Sequence, residues 1–344
     1  MTTQTTPAAT PAAASSPVDL SILRGKARWH WSEYLFWMLP IAAWFLFPNS
    51  LSLLSQIAIT ALFALSLDLI LGYAGIVSLG HAAFFGIGAY AYALLVMKAG
   101  CPTWPAWVAG GLCSSVVSLP VSLITFKLRG HYFAICTLAL GLIITGTLTI
   151  WRDLTNGSLG LLGVPSLKGI TLPWAGEVSF RNTFSFYPLA LTVFLLVLWV
   201  TYLLANSKVG RTFQAIRENE ALSSSVGVNP NYHKAVCFSI SAMISGLAGG
   251  LYASYIGFIH PMTSDVFIGL FALVCTVVGG TGTILGPVVG NLLLGTIPEI
   301  LRIDPVVRNL IFGIVLIVAV RVAPKGIIGT LKAKRQRVQG SNRV

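Results

Sequence analysis

The sequence predicts an all-α fold: a polytopic transmembrane helical bundle of about ten spans with both termini in the cytoplasm. Three observations carry this reading. Of 344 residues, 55% are hydrophobic and only 9% are charged, whereas soluble domains carry roughly a quarter charged residues. The apolar residues come in long blocks: Leu51–Leu71 holds one acid, and Ile135–Ile150 and Phe186–Ala205 hold no charge. A bilayer span needs about 20 such residues. Finally, threading the chain through a membrane puts only Lys98, Arg152, Lys168, Arg181, Arg302 and Arg308 on one side. The remaining basic residues collect with both termini on the other, which marks it as cytoplasmic.

In chain order, residues 1–30 begin MTTQTTPAATPAAASSPVDL, a Thr/Ala/Pro-rich composition that predicts a disordered cytoplasmic tail. Arg24, Lys26 and Arg28 come late for a secretory signal, and the apolar run after Trp31 lacks a small-residue cleavage site. That run is expected to remain as the first membrane helix. The membrane domain is expected over 31–325, with spans near 33–48, 51–71, 78–97, 104–126, 131–151, 186–205, 232–255, 266–282, 284–301 and 305–323. The pair covering 266–301 is open to a re-entrant reading. The largest outer loop, Arg152–Ser185, is expected to pack on the external mouth, and His260-Pro261 to form an outer turn. Residues 326–344 are a basic cytoplasmic tail.

The net charge of +12 follows from this loop bias. No basic stripe interleaved with aromatics is present, so nucleic acid is excluded as a partner. Cys101, Cys113, Cys136, Cys237 and Cys275 are scattered without metal-ligand spacing and read as small buried hydrophobes. No paired carboxylates, nucleophilic triad or metal cluster stands out, so the expectation is a chain with no catalytic residue, no metal and no bound cofactor.

Two glycine segments are the candidates for a translocation path. GYAGIVSLGHAAFFGIGAYAYALL runs from Gly72 to Leu95, and VVGGTGTILGPVVG from Val277 to Gly290. Small residues let membrane helices approach closely, and a helix break at membrane depth is tolerated where it lies within protein or lines a cavity. Pure packing and packing combined with a path both remain open. On the second reading the path residues are Gly75, Ser78, Gly80, His81, Gly280, Gly282 and Gly286. Ser78 is expected to cap the helix that follows it, leaving a positive helix end of the kind that holds anionic solutes in transporters. The second segment lacks the Lys-Ser/Thr ending of a phosphate loop and reads as a membrane turn. GIVSLGHAAFFG and GTILGPVVGNLLLG also suggest a faint internal repeat. Asp68 reads as a helix-packing hydrogen bond or a snorkelling side chain ahead of a substrate contact. His81 divides between a turn hydrogen bond and the path. Glu299, Arg302 and Asp304 are expected at a solvated outer mouth.

One stretch stands apart. VGRTFQAIRENEALSSSVGV, Val209–Val228, holds Arg211, Arg217, Glu218 and Glu220 between apolar walls. Val209, Phe213, Ile216 and Leu222 recur at roughly helical spacing, Gly227 is suited to end a helix, and Pro230 blocks its extension. The segment reads as a short amphipathic helix, lying on the membrane or docked into another protein.

GRTFQAIRENEALSSSVGVNPNYHKAVCFSISAMISGLAGGLYA, Gly210–Ala253, resembles the coupling-loop region of ABC importer permeases, most closely the branched-chain amino acid permease family of the LivM type. The likeness extends to LGYAGIVSLGHAAFFGIGAYAYALL, LRGHYFAICTLA and GGTGTILGPVVGNLLLG, covering about residues 50–330. In that family a short cytoplasmic helix inserts into a groove of an ATP-binding subunit. The resemblance implies that Glu220 is the motif glutamate, Gly227 the motif glycine, and Arg217-Glu218 the preceding pair. Leu222 and Ser223 stand where the family usually has two alanines. It further implies a coupling helix over about 208–231, with Glu218 and Glu220 making polar contacts to the ATPase and Phe213 and Ile216 anchoring it. ATP and Mg would belong to partner subunits. The other implied partners are a second permease chain and an external solute-binding protein, all at a bacterial inner membrane. Leucine, isoleucine or valine are the implied substrates, with urea, amides or aromatic acids carried by relatives. The alternative is an ion-gradient-driven secondary transporter, for which Asp68 and His81 are the candidate groups.

Overall fold

The computed structural model describes Pro40, Trp44 and residues 50–126, 131–172, 176–300, 305–322 and 326–330. The predicted tail over 1–30 and most of the first predicted span lie outside the described residues, as do Arg302 and Asp304.

Twelve α-helices are described: α1 Leu51–Asp68, α2 Ala82–Met97, α3 Thr103–Thr125, α4 His131–Ile150, the single turn α5 Arg152–Thr155, α6 Thr183–Asn206, α7 Lys208–Glu218, α8 Glu220–Ser225, α9 Pro230–Ile256, α10 Val266–Gly279, α11 Gly286–Ile300 and α12 Pro305–Val322. Six stretches are long and apolar enough to cross a bilayer: Leu51–Tyr73, Thr103–Thr125, Tyr132–Ile150, Thr183–Asn206, Pro230–Ile256 and Pro261–Gly279. Ala82–Met97 is shorter, because the glycine segment delays its start to four residues past Ser78. The long helices overlap the predicted spans, to within three residues at the ends of α3, α6 and α9, while the expected count of ten exceeds the six that satisfy length and composition among the described residues.

α1 is the hub. It packs against α6, α9, α10 and α11, while α9 packs on α2 and α3, and α12 lies on α10. Its side chains from Ile59 onward, and those of the turn that follows as far as Ile70, are almost all buried, Ile59, Leu62, Ala64 and Leu67 completely. α2 and α9 approach until backbone meets backbone: a Cβ on Gly88 would collide with Gly246, and one on Gly249 with the Phe85 carbonyl. Packing at this distance substitutes for the hydrophobic drive that lipid does not supply. α4 is the counterexample. Tyr132, Ile135, Leu142, Ile143 and Ile150 all stand more than half exposed, an apolar flank suited to hydrocarbon rather than water.

The connections gather at two opposite ends. At one, a two-stranded antiparallel pairing joins β1 (Leu161–Leu162) to β4 (Phe258–Ile259), with Leu161 opposite Ile259. The second pair, β2 (Ile170–Leu172) and β3 (Gly176–Val178), also belongs to the Arg152–Ser185 loop. Lys98 Nζ donates to the Asp153 and Leu154 carbonyls, and Trp104 Nε1 to that of Lys168, so the loop packs over the helix ends as expected. His260 opens a 3-10 turn, Pro261–Ser264, by accepting from the Met262 N–H. At the other end lie the α1–α2 turn, α7, α8, the α10–α11 turn and a helical turn at 326–330 whose Gly326 abuts Gly280.

Candidate functional site

The site is built where three segments meet. α1 leaves α-helical form at Leu69–Tyr73, a single π-helical turn, and the chain then stays irregular until Ala82. Its reversal uses Gly75 at φ +71°, a conformation open to glycine at little cost. The second segment is the turn after α10, with Gly280 at φ +121° and Gly282 at φ +72°. α7 is the third.

Asp68 joins the first two. It is fully buried, and its Oδ1 accepts the Gly282 N–H at 2.8 Å. Arg217, near the end of α7, joins the third to both: its Nη1 donates to the Gly72 carbonyl, and Gly282 lies beside the same nitrogen. The helix-packing reading of Asp68 thus matches its place, with a backbone amide as partner.

α7 and α8 are two helices, where the sequence suggested one. Asn219 adopts extended backbone, φ −154° and ψ 103°, and its Oδ1 accepts the Leu222 N–H at 3.0 Å to cap α8. An Asn followed by an acid is a helix-start signal, and here it overrides continuation from α7. Ser207 caps α7, Gly227 ends the segment at φ +87°, and Pro230 occupies the first turn of α9, where a missing N–H costs nothing.

The split sorts the predicted coupling residues. Phe213 and Ile216 are 1% and 4% exposed: they pack on this chain's own helices. The expectation that they anchor a partner is corrected, because these two side chains are consumed in holding the helix down. Arg211, Arg217, Glu218 and Glu220 are exposed, Arg217 reaching from the surface to the Gly72 carbonyl. Glu220 Oε2 pairs with Lys234 Nζ at 2.8 Å on the first turns of α9. The large apolar side chains of the segment that do stand free are Val209 at 40%, Leu222 at 63% and Val226 at 73% exposure. Val226 was not singled out by periodicity, since it belongs to α8's end and not to the α7 stripe.

The predicted path residues separate into two groups. Gly75, Gly280 and Gly282 stand at the turns around Arg217, with Gly286 opening α11 against the Gly280 carbonyl. Ser78, Gly80 and His81 are buried elsewhere. Ser78 does not cap α2, which begins only at Ala82 with no side-chain cap, and its hydroxyl has no partner among the described residues. Thr137 Oγ1 instead takes the Leu79 N–H at 3.2 Å, and Gly80 fits against the Thr137 carbonyl. His81 has no exposed surface, and its Nε2 lies 3.0 Å from Ser66 Oγ and 3.3 Å from Ser241 Oγ. Its ring stacks on Phe63 with centroids 5.8 Å apart. It ties the turn to α1 and α9, the hydrogen-bonding alternative of its two readings.

Apolar helices of spanning length, joined through glycine turns and a lateral amphipathic segment, define a multi-pass helical membrane protein. Residues 49–320 match the family described as branched-chain amino acid transport system / permease component, and the chain belongs to that family. It is 29% identical, over 81% of its length, to the high-affinity branched-chain amino acid transport system permease protein LivM of Salmonella typhimurium. It is 30% identical, over 77%, to LivM of Escherichia coli. A third relative is the autoinducer 2 import system permease protein LsrC of Yersinia pseudotuberculosis, 31% identical over 50% of this chain. The matches span 70%, 66% and 50% of those relatives' own lengths. No solved structure matches the chain.

Proposed function

We propose that this chain is the membrane-spanning permease subunit of an ATP-driven importer for branched-chain amino acids or a related small polar solute. The observation that carries the reading is the α7–α8 segment. One side is fastened by Phe213, Ile216 and Arg217 to this chain, and the other presents Leu222, Val226, Glu218 and Glu220 outward. A lateral helix with free apolar and acidic groups suits insertion into a groove of a second protein.

On this reading ATP and Mg are held by cytoplasmic partner subunits, and closure of those partners moves α7–α8. An external solute-binding protein delivers the substrate. A second permease chain completes the path, covering part of the exposed apolar flank of α4. The membrane is the bacterial inner membrane, with the α7–α8 end and both termini cytoplasmic, as the distribution of Lys and Arg supports. The names of the LivM relatives favour branched-chain amino acids, that is leucine, isoleucine and valine, and the name of the LsrC relative makes autoinducer 2 the second solute to test.

Co-purification from native membranes in gentle detergent tests the assembly. Recovery of an ATP-hydrolysing subunit and a second permease is the expected result. Recovery of this chain alone, with transport activity intact, contradicts it.

A further inference from the structure

Arg217 extends back into its own chain, although it sits on the segment that faces a partner. Its stem runs along Gly75, where an added Cβ would stand 2.7 Å from Arg217 Cγ. Its guanidinium lies on Gly282, where an added Cβ would stand 2.9 Å from Nη1, and donates to the Gly72 carbonyl. Gly72 itself leaves room for the Asp68 carboxylate and the Gly282 amide, both of which a Cβ would strike. Three glycines from two separate turns therefore shape one seat.

Asp68 closes the seat from below. Its Oδ1 takes the Gly282 N–H, while Oδ2 has no hydrogen-bond partner among the described residues. The carboxylate and the guanidinium thus flank Gly282, held by the same residue. A buried carboxylate is expensive unless donors compensate it, and the Gly282 N–H that does so belongs to the same glycine the guanidinium touches, so both turns and Arg217 meet at one residue. The guanidinium fork is rigid and planar and presents several donors at fixed angles, which suits it to holding two backbone segments in register.

We propose that Arg217 is the positioning residue that transmits movement of α7 to both glycine turns at once, dragging the α1–α2 and α10–α11 hairpins together. The proposal rests on the importer reading above. Phe213 and Ile216 seat α7 on this chain's own helices, and Arg217 is its one side chain that hydrogen-bonds to the α1–α2 turn among the described residues. Withdrawing it would take the Arg217 donor from the Gly72 carbonyl and open the contact with Gly282, so the turns follow α7 instead of letting go.

The test uses the whole importer in lipid nanodiscs, with Val77→Cys as a reporter. Val77 is 43% exposed, two residues past Gly75. Maleimide labelling above that of the parent chain is timed with and without ATP plus vanadate. With Arg217 present, nucleotide is expected to change the rate by about fivefold, the low end of ordinary coupling. In Arg217→Ala the change disappears while ATP hydrolysis continues, a split that a merely structural role would not produce. A nucleotide response that persists in Arg217→Ala overturns the proposal. If that variant does not assemble, Arg217→Lys decides: it keeps the stem and charge but not the fork, so a weakened response supports the proposal and an unchanged one overturns it. A chain with Arg217 that recovers no ATPase overturns the importer reading, and the inference falls with it.

Discussion

Asp68, the one ionisable residue of α1, holds the turn after α10 through the Gly282 N–H. Asp68→Leu would leave the Gly282 N–H buried without an acceptor, a loss of about 1–3 kcal/mol. Asp68→Asn keeps the acceptor and should cost less, so melting of the purified permease in detergent should rank wild type, Asn and Leu in that order. An equal loss in both variants would show that the charge, and not the acceptor, is what the turn needs. The sequence exposed Asp68 as the one acid of an apolar block, and its partner stayed hidden because Gly282 lies 214 positions away. His81 behaves alike: nothing in its neighbourhood names Ser66 or Ser241. Arg217 is the sharper case, since a surface helix rich in charge suggests solvent, and only folding brings Gly72 and Gly282 beneath it.

Elements were more legible than contacts. Boundaries of α3, α4, α6 and α9 fall close to the predicted spans because apolar length and flanking turns determine them. The start of α2 did not, because Ser78 imitates a cap while the glycines before it allow the chain to stay irregular up to His81. The break between α7 and α8 was written in Asn219-Glu220 but was masked by the apolar spacing running across it. Packing between elements yields a prediction at Gly88. Gly88→Val must displace the α9 backbone at Gly246, and overpacking of this kind costs about 1–3 kcal/mol. The variant should accumulate poorly in membranes, and normal accumulation and melting would mean that α2 and α9 can part. α8 yields the opposite prediction. Glu220 and Lys234 form a surface pair, worth about 0–1 kcal/mol, so Glu220→Arg should melt like wild type yet lose uptake. Uptake at the wild-type rate would remove Glu220 from the partner contact.

At the scale of the molecule, family membership and a helical multi-pass build were legible from composition and from the coupling and glycine segments together. The substrate was not, because neither glycine segment contains a group that distinguishes one small polar solute from another. The two glycine turns meet in space where Asp68 accepts the Gly282 N–H. What separates an ATP-driven importer from a gradient-driven carrier is where the work enters: through α7 and α8, or through an ion in the membrane interior. The direct measurement is solute uptake into energised vesicles carrying the complete system, with leucine, isoleucine and valine as probes. Ion gradients are collapsed by ionophores while ATP is maintained. Uptake is expected to continue and to be stopped by vanadate. Uptake that dies with the gradients while ATP is still present would contradict that expectation, and would move the coupling from Arg217 to the buried groups Asp68 and His81.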